Sequence, residues 1–338
     1  MNKTIVFTIA LMPGLLCVSL LQPCEHPEGL KPLWTWRGHD YFIHLVFQPK
    51  GKILATAGHR DKLIQVWDFP EGKKLATLDS HNDSIGGLAF SPDGKMLASV
   101  SPEAVFIWEV GSWKNLYAYK GEFPGRSFSD VKSIAFSGDN KSLYIAHFRS
   151  ITRWNLGEKK AKQIVSSKGP VSWFYLLELP QHKVVGADLK QTIMGLRVDL
   201  WALPSAELKE TLKSDDLNVH CLAVSPDGKR LAGASISETI HIWDLTRGKH
   251  LGNFKQPGQV TSVVFSPDSK SLALSYKPDR TKRKPGAFLL MEVATGKEIV
   301  RLAKAHENGV ASLAFSSDGR YLLSGGRSLK IWDLAPKK

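Results

Sequence analysis

Cysteine is nearly absent from this chain, with three in 338 residues, Cys17, Cys24 and Cys221. Three thiols cannot build the disulfide framework of a stapled domain, and no zinc-ligand spacing appears among them. Cys221, inside His220-Cys221-Leu222-Ala223-Val224, reads as a small buried apolar residue rather than a reactive thiol. Acidic residues are also in short supply. Asp and Glu number 32 against 45 Lys and Arg, a formal charge of +13 that favours acidic partners: nucleic acid, anionic lipid or an acidic protein. The patterns of enzymes are missing as well. No Gly-rich loop leads into a helix, and Gly233-Ala234-Ser235-Ile236-Ser237 has no helix after it to make a nucleophile elbow. His39, His44 and His59 are close in sequence but do not match a metal-site spacing, and Asp215-Asp216 reads as a solvated linker. No catalytic residue, metal or cofactor is expected.

The chain opens on Lys3 and an almost uninterrupted apolar run from Ile5 to Leu21. Residues 1–24 are therefore expected to be a signal peptide or signal anchor. Pro13-Gly14 in the middle would cost a spanning helix about 3 kcal/mol, which argues against a permanent anchor. The expected location is periplasmic, extracellular or membrane-anchored, with membrane contact only through an uncleaved leader. Residues 25–32 read as a linker.

The remainder is built on one hairpin. In Ser91-Pro92-Asp93-Gly94-Lys95 the proline fixes the first corner, the aspartate bonds its own backbone, and the glycine takes the left-handed exit. Copies begin at residues 48, 137, 179, 225, 266 and 316, so that neighbours are 41–50 residues apart. A second landmark keeps the same beat: Trp67, Trp108, Trp154, Trp201, Trp243 and Trp332, with Met291 in the seventh slot. Asp follows directly at Trp67-Asp68, Trp243-Asp244 and Trp332-Asp333. Periods of about 40–45 residues with four strands each belong to propellers.

On these motifs residues 33–334 resemble the WD-repeat β-propeller family, in an exported, bacterial-type form. The resemblance implies an all-β fold: a seven-bladed antiparallel propeller over residues 33–338. Leu33-Trp34-Thr35-Trp36 aligns with Leu75-Ala76-Thr77-Leu78, an outer strand, while too few residues follow Trp332 to make one. The N-terminal strand is thus expected to complete the last blade and close the ring. The family also implies a structural network inside a blade, met in full by His39, Thr56, Asp61 and Trp67. His81, Ser99 and Trp108, and His306, Ser324 and Trp332, meet it without the Asp. Blades three to six lack the His.

Of ten tryptophans, Trp113 and Trp173 fall outside both the repeat position and the closing strand, and Trp173 reads as inner-strand packing. Three irregular loops stand out, around residues 120–129, 188–195 and 277–286. In such propellers they emerge on one rim. Lys277, Arg280, Lys282, Arg283 and Lys284, facing only Asp279 in charge, are expected with Arg126 and Lys190 to bind a protein partner of acidic character. The expected function is a non-catalytic interaction platform acting as a monomer. A polyanion-binding module and an enzyme or cofactor-binding propeller are the alternatives; nucleic acid is possible as a partner but not favoured.

Overall fold

The computed structural model describes residues 31–39, 41–58, 61–120, 131, 133–147, 150–158, 160–166, 172–179, 183–192, 195–214, 219–235, 237–276, 286–306 and 309–335. The expected leader and most of the linker lie outside them. Among the described residues no helix is long and apolar enough to cross a membrane.

The described strands form seven four-stranded antiparallel sheets, and the fold is an all-β propeller. Strand β1 (Trp34–Trp36) is followed by blade one: β2 (Phe42–Phe47), β3 (Ile53–Gly58), β4 (Ile64–Asp68) and β5 (Lys74–Leu78). Blade two holds β6 (Gly87–Phe90), β7 (Met96–Val100), β8 (Ala104–Glu109) and β9 (Asn115–Lys120). Blade three holds β10 (Ser133–Phe136), β11 (Ser142–His147), β12 (Ser150–Asn155) and β13 (Lys162–Ser166). Blade four holds β14 (Ser172–Leu179), β15 (Lys183–Thr192), β16 (Gly195–Ala202) and β17 (Glu207–Ser214). Blade five holds β18 (Val219–Val224), β19 (Arg230–Ser235), β20 (Thr239–Asp244) and β21 (Lys249–Lys255). Blade six holds β22 (Val260–Phe265), β23 (Ser271–Tyr276), β24 (Gly286–Glu292) and β25 (Glu298–His306). The last sheet is β26 (Ser312–Phe315), β27 (Tyr321–Gly325) and β28 (Leu329–Asp333), with β1 as its fourth strand, Trp34 opposite Ile331 and Trp36 opposite Leu329.

The first strand of each sheet touches the first strand of the next, from β2 through β6, β10, β14, β18 and β22 to β26 and back to β2. The apolar core follows the same ring. Each buried cluster joins two neighbouring sheets: Leu54 and Trp67 of blade one lie with Leu323, Leu329 and Ile331 of the last sheet, and Ile107 of blade two with Ile145 and Trp154 of blade three. No sheet fills its own core, so each is stable only between two neighbours.

The turn motif owes its recurrence to a residue that composition does not advertise, the serine that opens it. In five copies the buried hydroxyl of Ser91, Ser137, Ser225, Ser266 or Ser316 donates to the turn aspartate at 2.5–2.6 Å. The same oxygen accepts the backbone N–H five residues on, at 2.9 Å. That donation, first among the causes, holds the Asp139 and Asp318 carboxyls below their ordinary range. The fourth residue of these turns is left-handed throughout, with φ of 60–72° at Gly94, Asn140, Gly228, Ser269 and Gly319. Ser269 tolerates this strained region while its hydroxyl takes the Asp227 N–H of the neighbouring blade at 3.1 Å.

Blade four departs from expectation. Residues 188–195 are expected as a lengthened connection, but 188–192 belong to β15 and 195 to β16, in a ladder from Val185 opposite Ala202 to Thr192 opposite Gly195. The extra length is strand rather than loop, because alternating backbone hydrogen bonds satisfy the polar groups that an open loop would have to leave to water.

Trp113 sits at φ 58° in the turn slot that Gly72, Ala206, Gly248 and Gly296 fill elsewhere. It packs against the cluster shared by blades one and two, in which Ala76 also lies. At the junction of the last blade with blade one the bulk comes from the other side, where Trp36 covers Gly72 and stacks on Trp67 at 5.1 Å between ring centres.

Candidate functional site

The basic positions expected to form the partner surface divide in two. Lys277, Arg280, Lys282, Arg283, Lys284 and Arg126 lie outside the described residues. Lys190 is in β15, opposite Ser172 and Arg197, with its side chain outside the description.

His39, Thr56, Asp61 and Trp67 are brought together, and the register explains how. Thr56 lies opposite Gln65 and Leu54 opposite Trp67, so the hydroxyl and the indole share one face of blade one. His39 Nδ1 meets Asp61 Oδ2 at 2.5 Å and Nε2 meets Thr56 Oγ1 at 2.9 Å. The Trp67 Nε1–H donates to the same hydroxyl oxygen at 3.0 Å. Asp61→Ala is expected to leave the buried His39 nitrogen unsatisfied and to cost about 1–3 kcal/mol. Asp93→Ala, in an exposed turn, is expected to cost less, as two urea unfolding midpoints will show; the reverse order would refute the assignment.

Blade two repeats the geometry without a carboxylate, His81 Nε2 at 2.7 Å and Trp108 Nε1 at 3.0 Å from Ser99 Oγ. In the last blade His306 and Trp332 both reach Ser324 Oγ at 2.8 Å. Burial drives the His81 and His306 pKa values down to about 4, so both rings are neutral at physiological pH.

In blades three and five, where the hydroxyl slot is lost, the indole finds another partner. Ile145 occupies it in blade three, opposite Thr152, and Trp154 Nε1–H donates to the Glu158 carbonyl at 2.9 Å. Gly233 occupies it in blade five; a Cβ there would meet the Trp243 ring at 2.8 Å, and Trp243 Nε1–H donates to the Lys213 carbonyl at 3.1 Å. Leu274 occupies it in blade six, where Met291 has no donor and the polar set is Tyr276 hydroxyl to Gln256 Oε1 at 2.7 Å. In blade four the buried Trp201 Nε1 has no partner among the described residues. Neighbouring blades are tied by side chains of the inner strands: Tyr175 hydroxyl to the His220 carbonyl at 2.7 Å, His220 Nε2 to the Val260 carbonyl at 2.8 Å, and Thr261 hydroxyl to the Val310 carbonyl at 2.8 Å. Cys221 takes part as a weak donor to the Thr261 carbonyl at 3.4 Å, its thiol pushed up by burial to about 12 and so not nucleophilic.

Sequence reasoning missed the turn serines and a His241–His250 pair in blade five. A serine opening five of the seven turns, two residues before an aspartate, was the available signal for the first. The second had none, because the two rings meet only through strand register. Among the described residues no group of three or more His, Cys, Asp or Glu side chains is placed to hold a metal ion.

The WD40 profile (WD domain, G-beta repeat) matches residues 30–68, 72–109, 206–244 and 297–333. The first two stretches run from β1 through β8, and the four hold the third-strand landmarks Trp67, Trp108, Trp243 and Trp332, while Trp154 and Trp201 fall between them. The chain is 24% identical over 375 aligned positions to periodic tryptophan protein 2 of Arabidopsis thaliana, covering 98% of this chain and 36% of that protein. It is 22% identical over 315 positions to eukaryotic translation initiation factor 3 subunit I of Culex quinquefasciatus, covering 88% and 94%. Small ribosomal subunit protein RACK1 of Drosophila melanogaster is 24% identical over 140 positions, covering 41% and 44%. The chain thus spans about a third of the first relative's length and nearly all of the second's. These relatives are eukaryotic, and the bacterial-type form expected above takes no support from them. Repeat matches, sheet topology and the tryptophan positions agree that the chain carries WD40 repeats on a propeller fold.

Proposed function

We propose that the chain is a non-catalytic platform for protein assembly, exported or membrane-tethered through its leader, with an acidic partner. The observation that carries this reading is how the polar groups inside the blades are used. His39, Asp61, His81 and His306 lie in networks that include the blade tryptophans, and the inner-strand hydroxyls bond neighbouring carbonyls. Little chemistry is left over for a substrate. Two of the relatives are, by name, a subunit of an initiation factor and a protein of the ribosomal small subunit, which favours assembly as the role. The formal charge of +13 and the cations between Lys277 and Lys284 favour an acidic surface on the partner.

The test is capture of partners by cross-linking from the fraction that contains the chain, repeated with Arg280, Lys282, Arg283 and Lys284 replaced by serine. The quadruple variant is expected to melt at the same temperature and to retain less of an acidic protein. Equal capture at low salt would remove the loop from the reading. N-terminal sequencing tests export separately: an intact Met1 on soluble cytosolic protein would end that part.

A further inference from the structure

Blade five carries a feature that the platform reading does not use. His241 on β20 is 3% exposed, while His250 on β21 is exposed, and their facing nitrogens, Nδ1 and Nε2, are 3.2 Å apart. Plain alternation would not bring them together. The register shifts between Ile242 and Trp243, so that Trp243 lies opposite His250 while Ile242 lies opposite Gly252, with Leu251 as the extra residue. A bulge of this kind re-aims a side chain. On the other side Gly233 leaves room for the Trp243 ring, and His241 lies against that ring at 5.7 Å and 28°.

We infer that His241 and His250 form a two-imidazole site for a borderline divalent cation of the zinc class. Two nitrogens bound to one tetrahedral zinc at about 2.0–2.1 Å are separated by about 3.3 Å, which is the separation of this pair. Without metal one proton lies between the two nitrogens along the line that joins them; a bound ion lies off that line, so a turn of the exposed His250 ring accompanies its entry. Imidazole suits zinc, copper and nickel, whereas magnesium prefers oxygen ligands. The buried ring fixes one ligand and the exposed ring gives the ion an entry path, with water completing the coordination. Charges close by in sequence or packing are mixed. Glu210 of the preceding blade lies against Gly248 and favours a cation, Lys249 opposes one, and Arg247 is engaged by Asp244 at 3.9 Å.

The site is tested by calorimetric titration of the full chain with zinc chloride in neutral buffer. Expected are one equivalent bound and no response to magnesium. Copper(II) is expected to quench a share of the emission that disappears in Trp243→Phe, since that ring lies against a ligand. His250→Ala, which also takes the hydrogen-bond partner from the buried His241, is expected to abolish both signals and to lower the melting temperature without metal by a few degrees, with the β-sheet circular dichroism at about 25 °C unchanged. Absence of zinc binding by the native chain overturns the inference, and so does undiminished binding by His250→Ala. Neither outcome bears on whether the propeller binds a protein partner.

Discussion

A chain that begins at residue 38 is expected to melt well below one that begins at residue 31, and to associate. The shorter chain loses β1, and with it the ladder that sets Trp34, Thr35 and Trp36 opposite Ile331, Lys330 and Leu329. It also loses the Trp36 ring, which stacks on Trp67 of blade one and covers Gly72. Removing a packed tryptophan alone costs about 3–5 kcal/mol; Trp36 is only half-buried, so the lower end applies to it, and the lost strand adds to that. What remains is β28 as an open edge backed by the buried Ile331 and Trp332, a template for pairing between copies. Calorimetry and size-exclusion chromatography check this directly. Equal melting and a monomeric profile for both chains would mean that β1 does not hold the ring shut.

Acid is expected to unfold the protein in a window set by histidines rather than carboxylates. Burial lowers the pKa of His44, His81 and His306 from 6.5 to about 4. Because the folded value is depressed, the unfolded chain binds more protons at any pH between the two. Stability is therefore whole above about 6.5 and is lost as pH falls toward about 4. A full shift of this size amounts to about 3 kcal/mol for each fully buried ring, as an upper bound. The lowered turn carboxyls, Asp139 and Asp318, act only below their ordinary value of 3.8, so the two windows separate. Melting temperature measured from pH 7 to pH 4 is the check, with His306→Gln as the variant: an uncharged amide retains a donor toward Ser324 and removes one proton from the transition. A melting temperature that stays flat down to pH 4 would contradict neutral, buried histidines in blades two and seven.

Much of the fold was legible because its signals are local. Tight turns 41–50 residues apart, short apolar strands around them and a tryptophan, or Met291, at slots 41–48 residues apart are written along the repeats. The His39, Thr56, Asp61 and Trp67 set could be named only through the resemblance to the WD-repeat family, whose in-blade network it matches. The candidate surfaces were legible only in part, since charge density in a loop says what it attracts and nothing about where it lies. Trp113 was unexplained by the sequence because the cluster it packs against is assembled from two blades.

By itself, then, the sequence determined the strands, the turns, the period and the closing role of Leu33-Trp34-Thr35-Trp36. These depend on backbone preference and on matching one repeat against another. Only the tertiary structure decided that residues 188–192 and 195 continue a ladder, that Trp154 and Trp243 send their indole donors to Glu158 and Lys213, and that His241 meets His250. Each of those outcomes follows from which neighbour fills a slot or which residue bulges. A buried donor takes the nearest acceptor that the assembled ring offers, and that acceptor is set by packing between strands and blades rather than by the residues beside it in the chain.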